Sequence, residues 1–198
     1  MDNDASNSEA TNLKGHLLIA MPGMGDPRFA RAVILICSHD EDRSMGFILN
    51  QRAVSPTLRD VLEELGLKQQ VRKLDADERD IALFRGGPVE KGRGFVIHTL
   101  DFSSSATAKI TDTSGLTATI DVLKKISSDK PPEKYRMLLG YAGWSSGQLE
   151  QEIAENAWLS VQATEELIFD TEPALAYDAA LAELGVSEAT LSASAGHA

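Results

Sequence analysis

Gly15–Gln51 reads G-H-L-L-I-A-M-P-G-M-G-D-P-R-F-A-R-A-V-I-L-I-C-S-H-D-E-D-R-S-M-G-F-I-L-N-Q, and the fold is decided there. Leu17–Ala20 and Ala32–Ser38 are short, apolar and in part β-branched, the pattern of buried strands. Between them, Asp26-Pro27 has the form of a helix cap followed by proline at the first helical position, which predicts a single turn. Asp40–Ser44 is a charged turn and Met45–Asn50 a return strand, so Ala32–Asn50 is expected to be a β-hairpin.

Outward from this stretch, Thr57–Leu65 places Leu58, Val61, Leu62 and Leu65 on one helical face, with Gly66 as the stop. Val71–Asp80 is charged and reads as a loop. Ile81–Arg85 and Gly94–Thr99 read as strands on either side of Gly86-Gly87-Pro88. Two short strands, Ala108–Ile110 and Leu116–Ala118, would form a small hairpin. A helix is expected to start at Thr119 or Asp121 and run to about Ile126. Tyr135–Ala142 and Trp158–Val161 are further strands. Ser146–Glu155, Thr164–Phe169 and Ala174–Leu184 are helices, the last closed by Gly185. Helices and strands mix without a regular β-α-β rhythm. That predicts an α+β fold, not a doubly wound parallel sheet.

The chain has 198 residues, enough for one domain with a sizeable core. It carries 19 basic and 30 acidic residues, a net charge of −11. Such a surface repels phosphate backbones and anionic membranes, so direct nucleic-acid or membrane binding is not expected. A lone cysteine excludes an intramolecular disulfide and suits a reducing compartment. The start, M-D-N-D-A-S-N-S-E-A-T-N, lacks the basic and apolar parts of a signal peptide. The expectation is a cytosolic protein with a disordered tail over 1–13 and a single domain over 14–198.

Several motifs invite a chemical reading. Gly143-Trp144-Ser145-Ser146-Gly147 matches G-x-S-x-G between a strand and a helix, the setting of a nucleophile elbow. Only His197 follows Ser145, at the penultimate position, so the motif reads better as a tight turn with Ser145 or Ser146 as a cap. Gly87–Gly92 has the spacing of a phosphate loop but continues with Arg93-Gly94, without the lysine and hydroxyl that loop needs. His39-Asp40-Glu41-Asp42 concentrates possible metal ligands, yet neighbours in a turn diverge, and no metal site is expected. His16 and His98 are single histidines beside strands. Cys37 is the candidate reactive thiol, because His39 two residues on would share its strand face and stabilise a thiolate. Gly23, Gly25, Asp26 and Pro27, flanked by Met21 and Met24, form an adaptable loop.

Separated blocks carry a resemblance. They are G-H-L-L-I-A-M-P-G-M-G-D-P-R-F, S-M-G-F-I-L-N-Q, G-G-P-V with R-G-F-V-I-H, L-L-G-Y-A-G-W with G-Q-L-E, L-I-F-D, and A-G-H-A. Together they resemble the AlgH/YqgE family over Gly15–Ala198. Tyr177 departs from the tryptophan that relatives often carry. The resemblance implies a mixed, bifurcated β-sheet curled into a pseudo-barrel with peripheral helices. It also implies a candidate binding surface of Met21, Pro22, Asp26, Pro27, His39, Gly86, Gly87, Pro88, His98, Tyr141, Trp144, Gln148 and Glu150. It brings no settled catalytic residues and no cofactor. Members carry the label of transcriptional regulators, through a link to alginate production. The charge and the lack of a helix-turn-helix pattern argue for an indirect route. The expected function is a non-enzymatic binding or regulatory protein with a protein or small-molecule partner. The alternative is a thiol sensor or small-molecule enzyme centred on Cys37 and His39.

Overall fold

The computed structural model describes residues 12–76, 81–128 and 130–195. Strands β1 (His16–Ala20), β2 (Val33–His39) and β3 (Arg43–Ile48) come first, with a single 3-10 turn at Pro27–Phe29. Helices α1 (Leu58–Glu64) and α2 (Lys68–Ala76) follow, then β4 (Leu83–Arg85), β5 (Val89–Thr99), β6 (Ala108–Lys109) and β7 (Ser114–Thr117). Helix α3 (Ile120–Ile126) leads to the long β8 (Tyr135–Ser145), α4 (Gln148–Ala154) and β9 (Trp158–Gln162). A π-turn at Glu166–Asp170 precedes α5 (Ala176–Glu183) and α6 (Glu188–Ala195).

The strands form one curled, largely antiparallel half-barrel in the order β6-β7-β5-β8-β3-β2-β1-β9. The α+β class and the bifurcated, curled sheet expected from the sequence are both present. The fork lies along β8. Its first half pairs antiparallel with β5 and parallel with β4, and its second half pairs with β3. Gly140 marks the change, with a left-handed φ of +69°. A Cβ at Gly140 would lie 2.7 Å from the carbonyl oxygens of both Gly87 and Val89. A Cβ at Gly86 would lie 2.3 Å from the Gly140 oxygen, and one at Gly87 2.1 Å from Tyr141. Backbone therefore packs directly on backbone at the fork, which only glycine permits.

Side chains alternate from β1 and β2 into two layers. Leu17, Ile19, Val33 and Leu35 pack with Leu167, Ile168, Tyr177 and Leu181 from the π-turn and α5. Leu18, Ile34 and Ile36 pack on the other face with Trp144, Leu149 and Trp158. A third cluster joins α1, α2 and α3 to the sheet through Leu62, Val71, Val122, Val96 and Met137. Burial of both faces explains why these strands read as continuous apolar runs.

The sequence misplaced three segments, one of them β5, which begins at Val89 and not at the expected Gly94. The loop expected from Val71 onward is helix as far as Ala76, and residues 77–80 lie outside the described residues. Leu67 and Val71, one turn apart, pack into the cluster that holds α1, and two apolar anchors suffice where the intervening residues face solvent. The chain also turns into α6 beyond Gly185. Ser187 and Thr190 exchange reciprocal backbone-to-hydroxyl hydrogen bonds of 3.0 and 3.3 Å, a capping box that starts the helix. Of the expected tail, residues 1–11 lie outside the described residues. Leu13 is buried in the second layer.

Arg136 ties the architecture together. Its buried guanidinium donates to the carbonyls of Leu49 (3.1 Å), Ile168 (2.5 Å), Phe169 (3.3 Å) and Thr171 (2.9 Å). It also lies 4.9 Å from the Phe84 ring centroid. Burial lowers its affinity for the proton, yet four carbonyl dipoles compensate the charge at the end of the π-turn.

Candidate functional site

The thirteen candidate surface residues fall into four places. Four of them help to build the interior. His98 is fully buried on β5, where Nδ1 donates to the Thr99 carbonyl and Nε2 accepts from the Thr117 hydroxyl, both at 2.9 Å. Trp144 is buried on β8, and its indole N–H donates to Glu152 at 2.9 Å. Trp158 donates to the same carboxylate oxygen at 2.7 Å. Gly86 is buried at the fork, and Tyr141 beside it packs edge-on against Phe95. Trp144, a candidate for the binding surface, thus packs inside the protein.

The second group lies at the hairpin turn. His39 Nδ1 accepts the Leu13 N–H at 2.9 Å, which leaves the proton on Nε2, 2.6 Å from Glu150 on α4. That N–H holds the Glu150 carboxyl below its ordinary range. Gln148 accepts the Ser145 N–H at 3.0 Å and donates to Glu152 at 2.9 Å. Asp40 Oδ1 accepts the N–H groups of Asp42 and Arg43, both at 3.1 Å, so the acidic cluster closes a turn. Among the described residues, no group of three possible ligands could hold a metal ion.

The pairing of Cys37 with His39 is corrected by a β-bulge. The register between β2 and β3 shifts between Ile36 and Ser38, where one extra residue changes which face follows. Cys37 packs with Leu35 in the first layer, whereas His39 bonds Leu13 and α4 in the second. Burial raises the Cys37 thiol well above its ordinary range, opposite to the activation expected from a neighbouring histidine.

The G-x-S-x-G turn differs in detail from the expectation too. Gly147, at φ +70°, is the capping residue of α4, and no hydroxyl caps it. Ser146 Oγ donates to the Glu41 carbonyl at 2.6 Å. Ser145 has no histidine partner among the described residues, and His197 lies outside them.

Met21 and Pro22 form the third place, an exposed hollow with Met24 and Leu191. The fourth is a cleft of about 510 Å³ at the fork, and it gathers Pro27, Gly87 and Pro88. Ile48 of β3 and Leu139 of β8 line it, as do Gln51 and Pro56 of the following segment. Arg28, Arg85 and Lys91 also line it, and among the described residues no carboxylate does. Arg28 is held by Asp26, which accepts its backbone N–H at 3.0 Å and its guanidinium at 2.6 Å. The paired guanidinium holds the Asp26 carboxyl below its ordinary range. Arg85 and Lys91 make no ion pair among the described residues, which leaves two cations free to meet a ligand. Sequence reading missed both. Arg85 and Lys91 are six residues apart on different strands, and only the Gly86-Gly87 packing brings them to one opening.

Fold and cleft define an α+β half-barrel with an open, basic hollow at its fork. The chain belongs to the AlgH-like family, whose model matches residues 17–189. It is 50% identical over 188 residues to a UPF0301 protein of Sinorhizobium medicae, covering 94% of this chain and 93% of that one. A UPF0301 protein of Mesorhizobium japonicum is 46% identical over the same shares. The solution structure of the AlgH protein from Pseudomonas aeruginosa superposes with a TM-score of 0.76 at 38% identity, over all of both chains. The crystal structure of protein DIP2367 from Corynebacterium diphtheriae shares the fold, with a TM-score of 0.67 at 20% identity over 86% of each chain.

Proposed function

We propose that this protein is a non-enzymatic binding protein of the cytosol whose ligand is a small organic anion held in the fork cleft. The observation that carries this reading is the lining charge. Three cations and, among the described residues, no carboxylate line one hollow in a chain of net charge −11. The volume suits a metabolite-sized molecule. A guanidinium beside an ammonium matches carboxylate or phosphate oxygens.

Cys37, His39 and His98, three of the groups that could do chemistry, are committed elsewhere. Cys37 is buried, and both ring nitrogens of His39 and of His98 already have partners. A regulatory effect would run through the bound ligand and its consequences for partners, because the net charge opposes direct DNA contact. No helix among the described residues is long and apolar enough to cross a membrane, and the buried free thiol suits a reducing compartment.

The test is a titration of the isotopically labelled protein with inorganic phosphate, pyrophosphate and citrate, followed by amide chemical shifts. Saturable changes centred on Gly87, Lys91 and Gln51, weakened by Arg85→Gln, are expected. Saturable binding that maps elsewhere, or no saturable binding at all, would overturn the reading.

A further inference from the structure

We infer that the ligand is an amphipathic anion, with its phosphate or carboxylate head in the fork cleft and an apolar tail in the trough beside it. This rests on the reading of the cleft as a ligand site. A second hollow of about 510 Å³ adjoins the first, and the two share Pro56, Lys91 and Leu139 as walls. Its character is different. Val61, Leu65, Val96, Ile120, Leu123 and Met137 line it, where α1 and α3 face β5 and β8.

Two of these side chains are out of place for a surface with nothing to cover. Leu65 at the end of α1 and Ile120 at the start of α3 are each 44% exposed, one on each bank of the trough. An apolar tail laid between them would remove both from water. Thr119, on the same lining, has a buried hydroxyl oxygen without a hydrogen-bond partner, although it stands at the cap position of α3. Charge is graded along the trough. Lys91 stands at the junction, Arg93 beyond it is occupied by Glu90 at 3.0 Å, and Glu64 is the one carboxylate of the apolar part among the described residues. A head group drawn to Arg85 and Lys91 therefore leaves its tail pointing into the apolar part. The combined space suits one metabolite-sized molecule with a chain of several methylenes.

The full-length protein would be titrated by calorimetry with octyl phosphate, octanoate, octanol and inorganic phosphate, below the aggregation limit of each. Octyl phosphate is expected to bind at least about tenfold more tightly than inorganic phosphate, since burying two methylenes is worth that much. Arg85→Gln and Lys91→Gln should each weaken it. The pair Leu65→Asn with Ile120→Asn should abolish the gain from the tail while leaving inorganic phosphate binding unchanged. All four positions are exposed, so the variants should keep their fold, checked by circular dichroism. Octanoate against octyl phosphate identifies the head chemistry. Equal affinity for octyl phosphate and inorganic phosphate would overturn the tail site and leave the cleft reading standing. Octanol bound as tightly as octyl phosphate would overturn the role of the head. No binding of any probe would remove the cleft reading itself.

Discussion

At the scale of single residues, burial decides what each side chain can do. Cys37 lies under the first apolar layer with its thiol against the Leu35 carbonyl at 3.7 Å. Iodoacetamide at pH 8 should therefore leave the native protein almost unlabelled and modify it fully in denaturant, as mass spectrometry would show. Rapid labelling of the native state would mean that β2 opens readily. Glu152 is the shared acceptor of the chain's two tryptophans. Glu152→Ala leaves two indole N–H groups unpaired in a half-dry site, at a cost of about 2–4 kcal/mol. Urea denaturation measures the loss, and the fluorescence of the same two rings reports the change in their surroundings. The sequence marked Trp144 as an interface residue because it stands in a distinctive block, but nothing local shows that Glu152 and Trp158 enclose it.

At the scale of elements, the glycine contacts at the fork set the geometry of the cleft. Gly140 and Gly147 share the left-handed region, at φ +69° and +70°, but only Gly140 is hemmed in by carbonyl oxygens. Gly147→Ala should cost about 1 kcal/mol, from backbone conformation alone. Gly140→Ala should cost about 3 kcal/mol, since the added methyl also strikes two backbone strands. Equal destabilisation of the two would show that the fork can relax.

The strands around this fork were legible because apolar runs bounded by Gly, Pro and Asp have few other readings. The cap at Asp26 was legible for a similar reason, being local in sequence. Helix α2 was not, because Leu67 and Val71 gain their meaning from α1. The bulge at Cys37 was equally hidden. A run such as I-L-I-C-S-H keeps the same composition whether or not one residue is skipped in the pairing. The cleft needed contacts among segments from Pro27 to Leu139, and pairwise spacing along the chain carries no such information.

At the scale of the whole molecule, several carboxylates are tuned in the same direction. Asp26, Asp60, Asp112 and Glu150 are all held below their ordinary ranges, chiefly by hydrogen bonds from Arg28, Thr57, Lys109 and His39 respectively. A lowered folded value favours the folded state above the unfolded value and loses that benefit as pH falls through the folded one. The melting temperature should hold from neutrality to about pH 5 and fall below about pH 4, as those carboxylates take up protons. Lys134, held between Asp170 and Glu165, is raised instead and keeps its contribution until strongly alkaline pH. A melting temperature that climbs steadily below pH 4 would mean that relief of the net negative charge outweighs these local bonds.

The strand that joins the two halves of the sheet is also one of the last to be made. β8 begins at Tyr135, yet β3, β4 and β5 all pair with it, and β1 completes its pairing only when β9 arrives at Trp158. During synthesis, more than half of the chain leaves the ribosome before its central partner exists. Early strands such as Arg43–Ile48, whose second edge is filled only by β8, then wait with one edge of the sheet unfilled, the kind of edge that invites pairing with other chains. Native contacts of such long range make folding slow compared with helical bundles of similar size. Nascent chains halted before residue 135 should therefore stay protease-sensitive, and those extended past residue 162 should become resistant together, as one unit.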